Sequence, residues 1–300
     1  MSLVSRYLDP SLIQRLNALQ LSARRVVEGQ TIGQHRSPVR GASIEFRQHR
    51  AYVPGDEPRR LDWRVLARTD RPYVREYDEE TNLRCALVLD RSGSMAYGRK
   101  HGTKFDFAAR MAASLAYLML GQTEAVGLAT VGARLESWLP PHAGTPQLAR
   151  VIESLERAAP AGESDLGRSV QEVADRLERR SLVIVLSDFF NPMPRIRPAL
   201  ARLRHDRHEV IVMRVLDEDE TTFPFRRSAR FRGLEGERST VCEPALVRKR
   251  YLSGFRSHAS QLEALCRALR CEPHTFLTSR PLDASLTNFL QHRHVTPAGG

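Results

Sequence analysis

The sequence predicts an α/β fold in which a doubly wound, mainly parallel sheet has helices on both faces and follows a small N-terminal β-rich segment. The first observation is that, after residue 83, short apolar and β-branched runs alternate with longer segments of helical period. The second is that runs such as 85–89 and 182–186 are apolar throughout, as in strands that are buried on both faces. The third is that polar side chains follow these runs, at the sheet edge where such folds bind ligands.

Residues 1–82 are predicted to form an N-terminal helix and a charged β-rich segment. Apolar side chains within 9–28 recur on one face of a helix, with Asp9 as the N-cap and Pro10 at the first helical position. The stretch 40–82 is dense in charge, interrupted by proline and glycine, and poor in helical period. We therefore expect short strands and turns there.

Residues 83–300 are predicted to form the sheet domain. About six strands are expected, and the segment 133–139 is assigned as a short antiparallel strand at the edge of the sheet. The segments of strand character are 84–90, 125–132, 181–188, 209–217 and 273–278, and those of helical character are 104–120, 145–158, 164–180, 196–205, 244–270 and 282–293.

The composition favours an intracellular, cytoplasmic protein. The longest mainly apolar stretch, 111–121, is shorter than the roughly 20 residues that a membrane-spanning helix needs. The N-terminal residues lack the basic and apolar regions of a secretory signal. No transmembrane segment is therefore expected.

The net charge of +11 supports an alternative function. Most of the excess lies between residues 192 and 300, where the segment 225–233 combines two phenylalanines with Arg226, Arg227, Arg230 and Arg232. Such a cluster suits the phosphates of nucleic acid or an anionic membrane surface, but it is also what a solvated, arginine-rich loop looks like. The alternative is thus an arginine-rich protein that binds nucleic acid or anionic membrane surfaces.

Three oxygen-bearing side chains follow the first apolar run of the sheet domain. Asp90, Ser92 and Ser94 set one carboxylate and two hydroxyls at alternate positions. We expect Gly93 to let the loop turn all three inward, because glycine tolerates backbone angles that other residues avoid. Hard oxygen ligands of this kind suit Mg²⁺, Mn²⁺ or Ca²⁺.

Two later loops carry matching groups. Ser164 opens a predicted helix, and Asp188 follows the end of the predicted strand 182–186. Because the carboxyl ends of parallel strands meet at one edge of the sheet, all three loops are expected to come together there. Few of these ligands carry a charge, so a bound cation would keep an open position that a carboxylate of a partner could fill.

This set of residues resembles the metal-ion-dependent adhesion site of the von Willebrand factor type A domain. Asp90, Ser92 and Ser94 match the DxSxS motif of that family, which adds a threonine and an aspartate from two later loops. Ser164 and Asp188 occupy those two positions, and Ser164 keeps the hydroxyl of the usual threonine without its methyl group. The resemblance implies a von Willebrand factor A-like fold and a magnesium site that binds a partner protein.

A second resemblance covers nearly the whole chain. The segment 52–83, YVPGDEPRRLDWRVLARTDRPYVREYDEETNL, is similar to the signature of the bacterial family called domain of unknown function 58, and 229–236, ARFRGLEG, is similar to a later segment of that family. Members are typically paired with MoxR-type AAA+ ATPases. The resemblance therefore implies a non-enzymatic adaptor or scaffold that works with such an ATPase in the assembly or maturation of a client complex.

Enzymatic alternatives find less support in the residues. The segment 93–100 departs from a phosphate-binding loop, since Arg99 precedes Lys100 and His101 follows it. Asp90 has no second acid two residues later, which an aspartyl phosphotransferase needs for proton transfer. No G-x-S-x-G sequence marks a serine hydrolase. The chain is therefore predicted not to be an enzyme.

Overall fold

The structure, a computed structural model, describes residues 5–17, 44–52, 61–79, 83–236 and 239–295. The chain forms two compact units. One comprises Gln30–Asn82, and the other comprises Met1–Gly29 together with Leu83–Gly300.

The larger unit is built on a six-stranded sheet, which confirms the predicted α/β fold. Along the sheet the strands lie in the order β10, β7, β6, β3, β4, β5. All neighbours are parallel except the edge strand β5, which pairs with β4 in antiparallel register, as predicted for 133–139. The strands are β3 (Arg84–Asp90), β4 (Ala125–Val131), β5 (Leu135–His142), β6 (Leu182–Ser187), β7 (Glu209–Leu216) and β10 (Glu272–Leu277).

Helices cover both faces of this sheet. Successive strand residues point to opposite faces, so Leu87 and Leu89 belong to one hydrophobic cluster and Val88 to the other. The first cluster takes side chains from α3 (Lys104–Leu120), α4 (Thr145–Arg157) and α9 (Leu282–Val295). The second takes them from α5 (Leu166–Ala174), α6 (Met193–His205) and α8 (Pro244–Leu269). Burial of both faces explains why the strands are apolar throughout.

Side chains define the start of the helices nearest to the carboxyl ends of the strands. Thr103 caps α3 by accepting a hydrogen bond from the backbone N–H of Asp106 at 3.0 Å. Asp165 caps α5 in the same way, with the N–H of Arg168 as donor at 3.2 Å.

The N-terminal helix, α1, packs in the core of the larger unit. It is described over residues 10–17, and Asp9 caps it by accepting a hydrogen bond from the N–H of Leu12 at 2.9 Å. Leu12 and Leu16 are fully buried in the same cluster as α3. The sequence-based division placed this helix with the charged segment in 1–82, whereas the structure groups it with residues 83–300. The remainder of the predicted helix, 18–28, lies outside the described residues.

The described residues of the smaller unit form an antiparallel strand pair and a helix. Strand β1 (Ile44–Ala51) pairs with β2 (Tyr73–Glu79), in line with the predicted short strands. Helix α2 (Trp63–Thr69) was not predicted. Its seven residues, just under two turns, are too few to show a helical period. Its start depends on Asp62, which accepts a hydrogen bond from the N–H of Val65 at 3.3 Å.

The larger unit also contains a hairpin and a short helix near the carboxyl ends of the strands. These are α7 (Glu218–Thr222) and the pair of strands β8 (Ala229–Phe231) and β9 (Thr240–Cys242). Among the described residues, no helix combines the length and apolar character needed to cross a membrane.

Candidate functional site

The candidate site lies where the winding order of the sheet reverses. The chain runs from β3 outward to β4 and β5, then returns to β6 on the other side of β3 and continues to β7 and β10. Asp90 is the last residue of β3, and Asp188 directly follows β6. Ligands of doubly wound sheets bind at this point, outside the carboxyl ends of the strands.

Hydrogen bonds hold the three residues of the first loop together. Asp90 Oδ1 accepts from the N–H of Ser92 at 2.8 Å, and Asp90 Oδ2 accepts from the Ser187 hydroxyl at 2.6 Å. The hydroxyls of Ser92 and Ser94 are 3.1 Å apart. Asp90 and Ser92 are buried, so the structure brings these three predicted residues into one cluster of oxygen atoms.

Burial sets the electrostatic state of this cluster. Desolvation, together with the nearby carboxylate of Asp188, raises the pKa of Asp90 to about 6, even though the hydrogen bonds from Ser187 and Ser92 lower it. Two carboxylates held near each other at a buried sheet edge repel, and a cation between them would relieve that repulsion.

Asp188 is held by a lysine that the sequence interpretation missed. Lys104 Nζ donates hydrogen bonds to Asp188 Oδ2 at 2.7 Å and to Glu220 Oε1 at 2.6 Å. The Lys104 side chain is 1% exposed, and its ammonium lies 4.9 Å from the centre of the Phe190 ring. Burial lowers the pKa of Lys104, but the carboxylates of Asp188 and Glu220 outweigh it and the pKa is raised. The sequence feature that could have indicated this ion pair is a lysine at the start of the otherwise apolar face of α3.

Ser164 lies in a loop that is joined to both of the other loops. Its hydroxyl donates to Asn191 Oδ1 at 3.2 Å, and Asn191 Nδ2 donates to the Ser164 carbonyl at 3.2 Å. The N–H of Gly93 donates to the carbonyl of Gly162 at 2.9 Å. The three predicted loops are therefore neighbours, although the hydroxyl of Ser164 is directed to Asn191.

Gly93 is required for a reason other than the one predicted. It is absent from the residues with positive φ, so the loop does not depend on its conformational freedom. A Cβ at this position would lie 2.0 Å from the carbonyl oxygen of Leu234 and 3.0 Å from that of Gly162. The expectation of unusual backbone angles was thus wrong, and close approach by the loop after β8 explains the glycine.

That loop also brings an acidic side chain to the site. Glu235 Oε1 accepts a hydrogen bond from the N–H of Ser94 at 3.2 Å. Glu235 belongs to the segment 229–236, which sequence analysis singled out without assigning it a place in the fold.

The donor set fits a hard divalent cation. Within the described ranges, no three side chains among His, Cys, Asp and Glu form a group that could hold a metal ion. A cation would therefore depend on the hydroxyls of Ser92 and Ser94 and on water in addition to Asp90. Oxygen ligands of low total charge are compatible with Mg²⁺, which retains several water molecules in protein sites.

An aromatic pocket of about 750 Å³ lies beside the site. Phe190, two residues after Asp188, forms part of its wall, and its ring meets that of Phe255 edge to face at 6.3 Å. Other lining residues are Phe223, Phe231, Arg250 and Tyr251. The pocket thus shares the loop 188–190 with the candidate metal site.

The structure separates the two parts of the arginine-rich cluster. The arginines are exposed: Arg226, Arg227, Arg230 and Arg232. Phe225 and Phe231 pack against Phe223, with ring centres 5.1 Å and 5.8 Å from it. Phe225 and Phe231 are half-buried, and their faces are largely occupied by aromatic neighbours, unlike the free rings on which bases stack.

Comparison with known proteins matched residues 48–261 to the family described as protein of unknown function DUF58. An uncharacterized protein of Mycobacterium tuberculosis strain H37Rv is 30% identical over 219 residues, which make up 72% of this chain and 68% of the relative.

Solved structures show a more distant likeness. An aerotolerance-related membrane protein from Bacteroides fragilis has a TM-score of 0.48 and 15% identity over 71% of this chain and 98% of its own. The SpRpn10 VWA domain has a TM-score of 0.40 and 13% identity over 72% of this chain and 97% of its own.

Proposed function

Since the chain belongs to the DUF58 family of proteins of unknown function, we propose that it is a non-enzymatic interaction module that binds a partner through a divalent cation. The cation, Mg²⁺ or alternatively Mn²⁺ or Ca²⁺, would be held at the strand ends, and an Asp or Glu of the partner would complete its ligands. The observation that carries the proposal is the cluster of Asp90, Ser92 and Ser94 beside Asp188, at the edge where β3 and β6 end.

The residues have distinct roles in this proposal. Asp90 supplies the negative charge, and the hydroxyls of Ser92 and Ser94 supply neutral oxygen atoms. Asp188 already shares one oxygen with Lys104, so its contribution is made through its other oxygen or through water. Ser164 contributes if its hydroxyl turns away from Asn191.

Lys104 supports the preference for an acidic partner. Its ammonium offsets part of the negative charge of Asp188 and Glu220. Asp90 accepts hydrogen bonds from Ser92 and Ser187, and no cationic side chain in the described part of the chain forms an ion pair with it. A divalent cation so ligated stays electron-poor and favours a further carboxylate.

We assign the partner to the MoxR-type AAA+ ATPases or to a client of such an ATPase, as the family resemblance implies. The aromatic pocket next to Asp188 supports a protein partner, because apolar surface at an exposed site is typical of protein interfaces. The arginine-rich alternative gains no support from Phe225 and Phe231, because both rings pack against Phe223.

Calorimetric titration with Mg²⁺ and Mn²⁺ tests the cation site. Wild type should give saturable binding heat, and Asp90→Asn, which keeps the shape of the side chain, should abolish it. Asp175→Asn is the matched control, because Asp175 is exposed at the C-cap of α5. Equal heats for wild type and Asp90→Asn would refute the site.

Co-purification with a MoxR-type ATPase tests the partner. Wild type and Asp175→Asn should retain the ATPase in Mg²⁺ and lose it in EDTA, whereas Asp90→Asn should not retain it in either buffer. Retention that is insensitive to both EDTA and Asp90→Asn would show that the partner does not bind through the cation.

A further inference from the structure

The connection between β8 and β9 contacts the candidate metal loop at two adjacent residues. The carbonyl oxygen of Leu234 lies 2.0 Å from the position that a Cβ on residue 93 would occupy. The next residue, Glu235, accepts a hydrogen bond through Oε1 from the N–H of Ser94 at 3.2 Å. This connection is therefore fitted to the loop that carries the two serine hydroxyls.

The position of Glu235 puts a carboxylate beside the proposed ligands. Its Oε1 bonds the amide of Ser94, whose hydroxyl is 3.1 Å from that of Ser92. Both hydroxyls belong to the proposed ligand set, and a carboxylate is the oxygen ligand that hard divalent cations prefer. Glu235 is half-buried, which limits how far its side chain can move from the loop.

We infer, on the basis of the proposed cation site, that Glu235 is an internal carboxylate ligand of that site. In the free chain it takes the position that a partner's Asp or Glu takes in the complex. A partner must then displace Glu235 from the cation. Only a carboxylate that binds the cation more tightly than Glu235 does can form the complex.

A purely structural role makes a different prediction for Glu235→Gln. The amide oxygen of glutamine can still accept the hydrogen bond from Ser94 N–H, so a loop contact alone would be maintained. Loss of the carboxylate charge changes only a role that depends on that charge. Glu163→Gln is the matched control, because Glu163 is an exposed acid next to Ser164 and its removal reports any through-space effect of charge.

Mn²⁺ titration followed by electron paramagnetic resonance and by water proton relaxation provides the test. Glu235→Gln should weaken Mn²⁺ binding by about tenfold or more, and the bound Mn²⁺ should hold more exchangeable water than in wild type. Glu163→Gln should leave both quantities close to wild type. In Glu235→Ala, which opens space, added acetate should restore Mn²⁺ affinity, whereas it should have little effect on wild type.

Two outcomes overturn the inference while leaving the cation site in place. In one, Glu235→Gln matches wild type in affinity and bound water; in the other, Glu163→Gln weakens binding as much as Glu235→Gln. Failure of the cation site itself is recognised separately, since wild type and Asp90→Asn would then be indistinguishable in the same titration.

Discussion

Lys104 Nζ and Asp188 Oδ2 lie 2.7 Å apart, with both side chains almost completely excluded from solvent. They come from the start of α3 and from the loop after β6, so the pair joins one helix layer to the candidate site. Removing one partner of a buried pair leaves the other charge without compensation.

We therefore expect Lys104→Met to destabilise the fold by about 3 to 5 kcal/mol. Methionine fills a similar volume, so the loss reports the uncompensated carboxylates of Asp188 and Glu220. Urea unfolding measures the change, and Lys100→Met, at an exposed position, should stay within about 0.5 kcal/mol of wild type. A similar effect of the two variants would contradict the assignment.

The pKa of Asp90 predicts a pH dependence of stability. Its folded-state pKa of about 6 exceeds the ordinary value of 3.8 for an aspartate, mainly because of burial. The folded state therefore binds this proton more tightly than the unfolded state, and the associated stability is present below pH 3.8 and lost as the pH rises through about 6. Asparagine resembles the protonated carboxyl and does not titrate, so in denaturation without added metal Asp90→Asn should be close to wild type in stability at low pH. It should become more stable than wild type as the pH rises through about 6. A parallel pair of profiles would argue against a raised pKa.

Two glycines should respond to alanine in opposite directions. Gly93→Ala puts a methyl group against the carbonyl of Leu234 and should lower the free energy of unfolding by about 1 to 3 kcal/mol. It should also weaken Mn²⁺ binding. Gly254 lies within α8, with nothing within 4 Å of an added Cβ, so Gly254→Ala should stabilise by about 0.5 to 1 kcal/mol. Thermal unfolding compares the two, and a neutral Gly93→Ala would disprove the tight contact.

The place of α1 in the larger unit is tested at Leu12, which is fully buried. Leu12→Ala should cost about 2 to 5 kcal/mol in the same unfolding transition as Lys104→Met. Leu246→Ala is the control, because Leu246 is 78% exposed. If Leu12→Ala has no more effect than the control, α1 does not belong to this core.

Much of the sheet could be predicted from local pattern. Strands buried on both faces need continuous apolar runs, and helices that cover them need the longer period, so 84–90 and 104–120 were recognised close to their final bounds. The sequence also placed Asp90, Ser92 and Ser94 at a strand end. The short helix α2 was not predicted, because fewer than two turns show no helical period.

The sequence by itself determined the alternation of strands and helices and the oxygen-rich loop after β3, because both depend on residues that are near one another in the chain. Only the tertiary structure decided that Lys104 pairs with Asp188, 84 residues away, and that Glu235 reaches Ser94 across 141 residues. Those contacts arise because parallel strands bring all their carboxyl ends to one edge, where loops distant in sequence become neighbours. The chemical groups of each loop are therefore determined locally, whereas the charged neighbours of the site depend on the spatial order of the strands in the sheet.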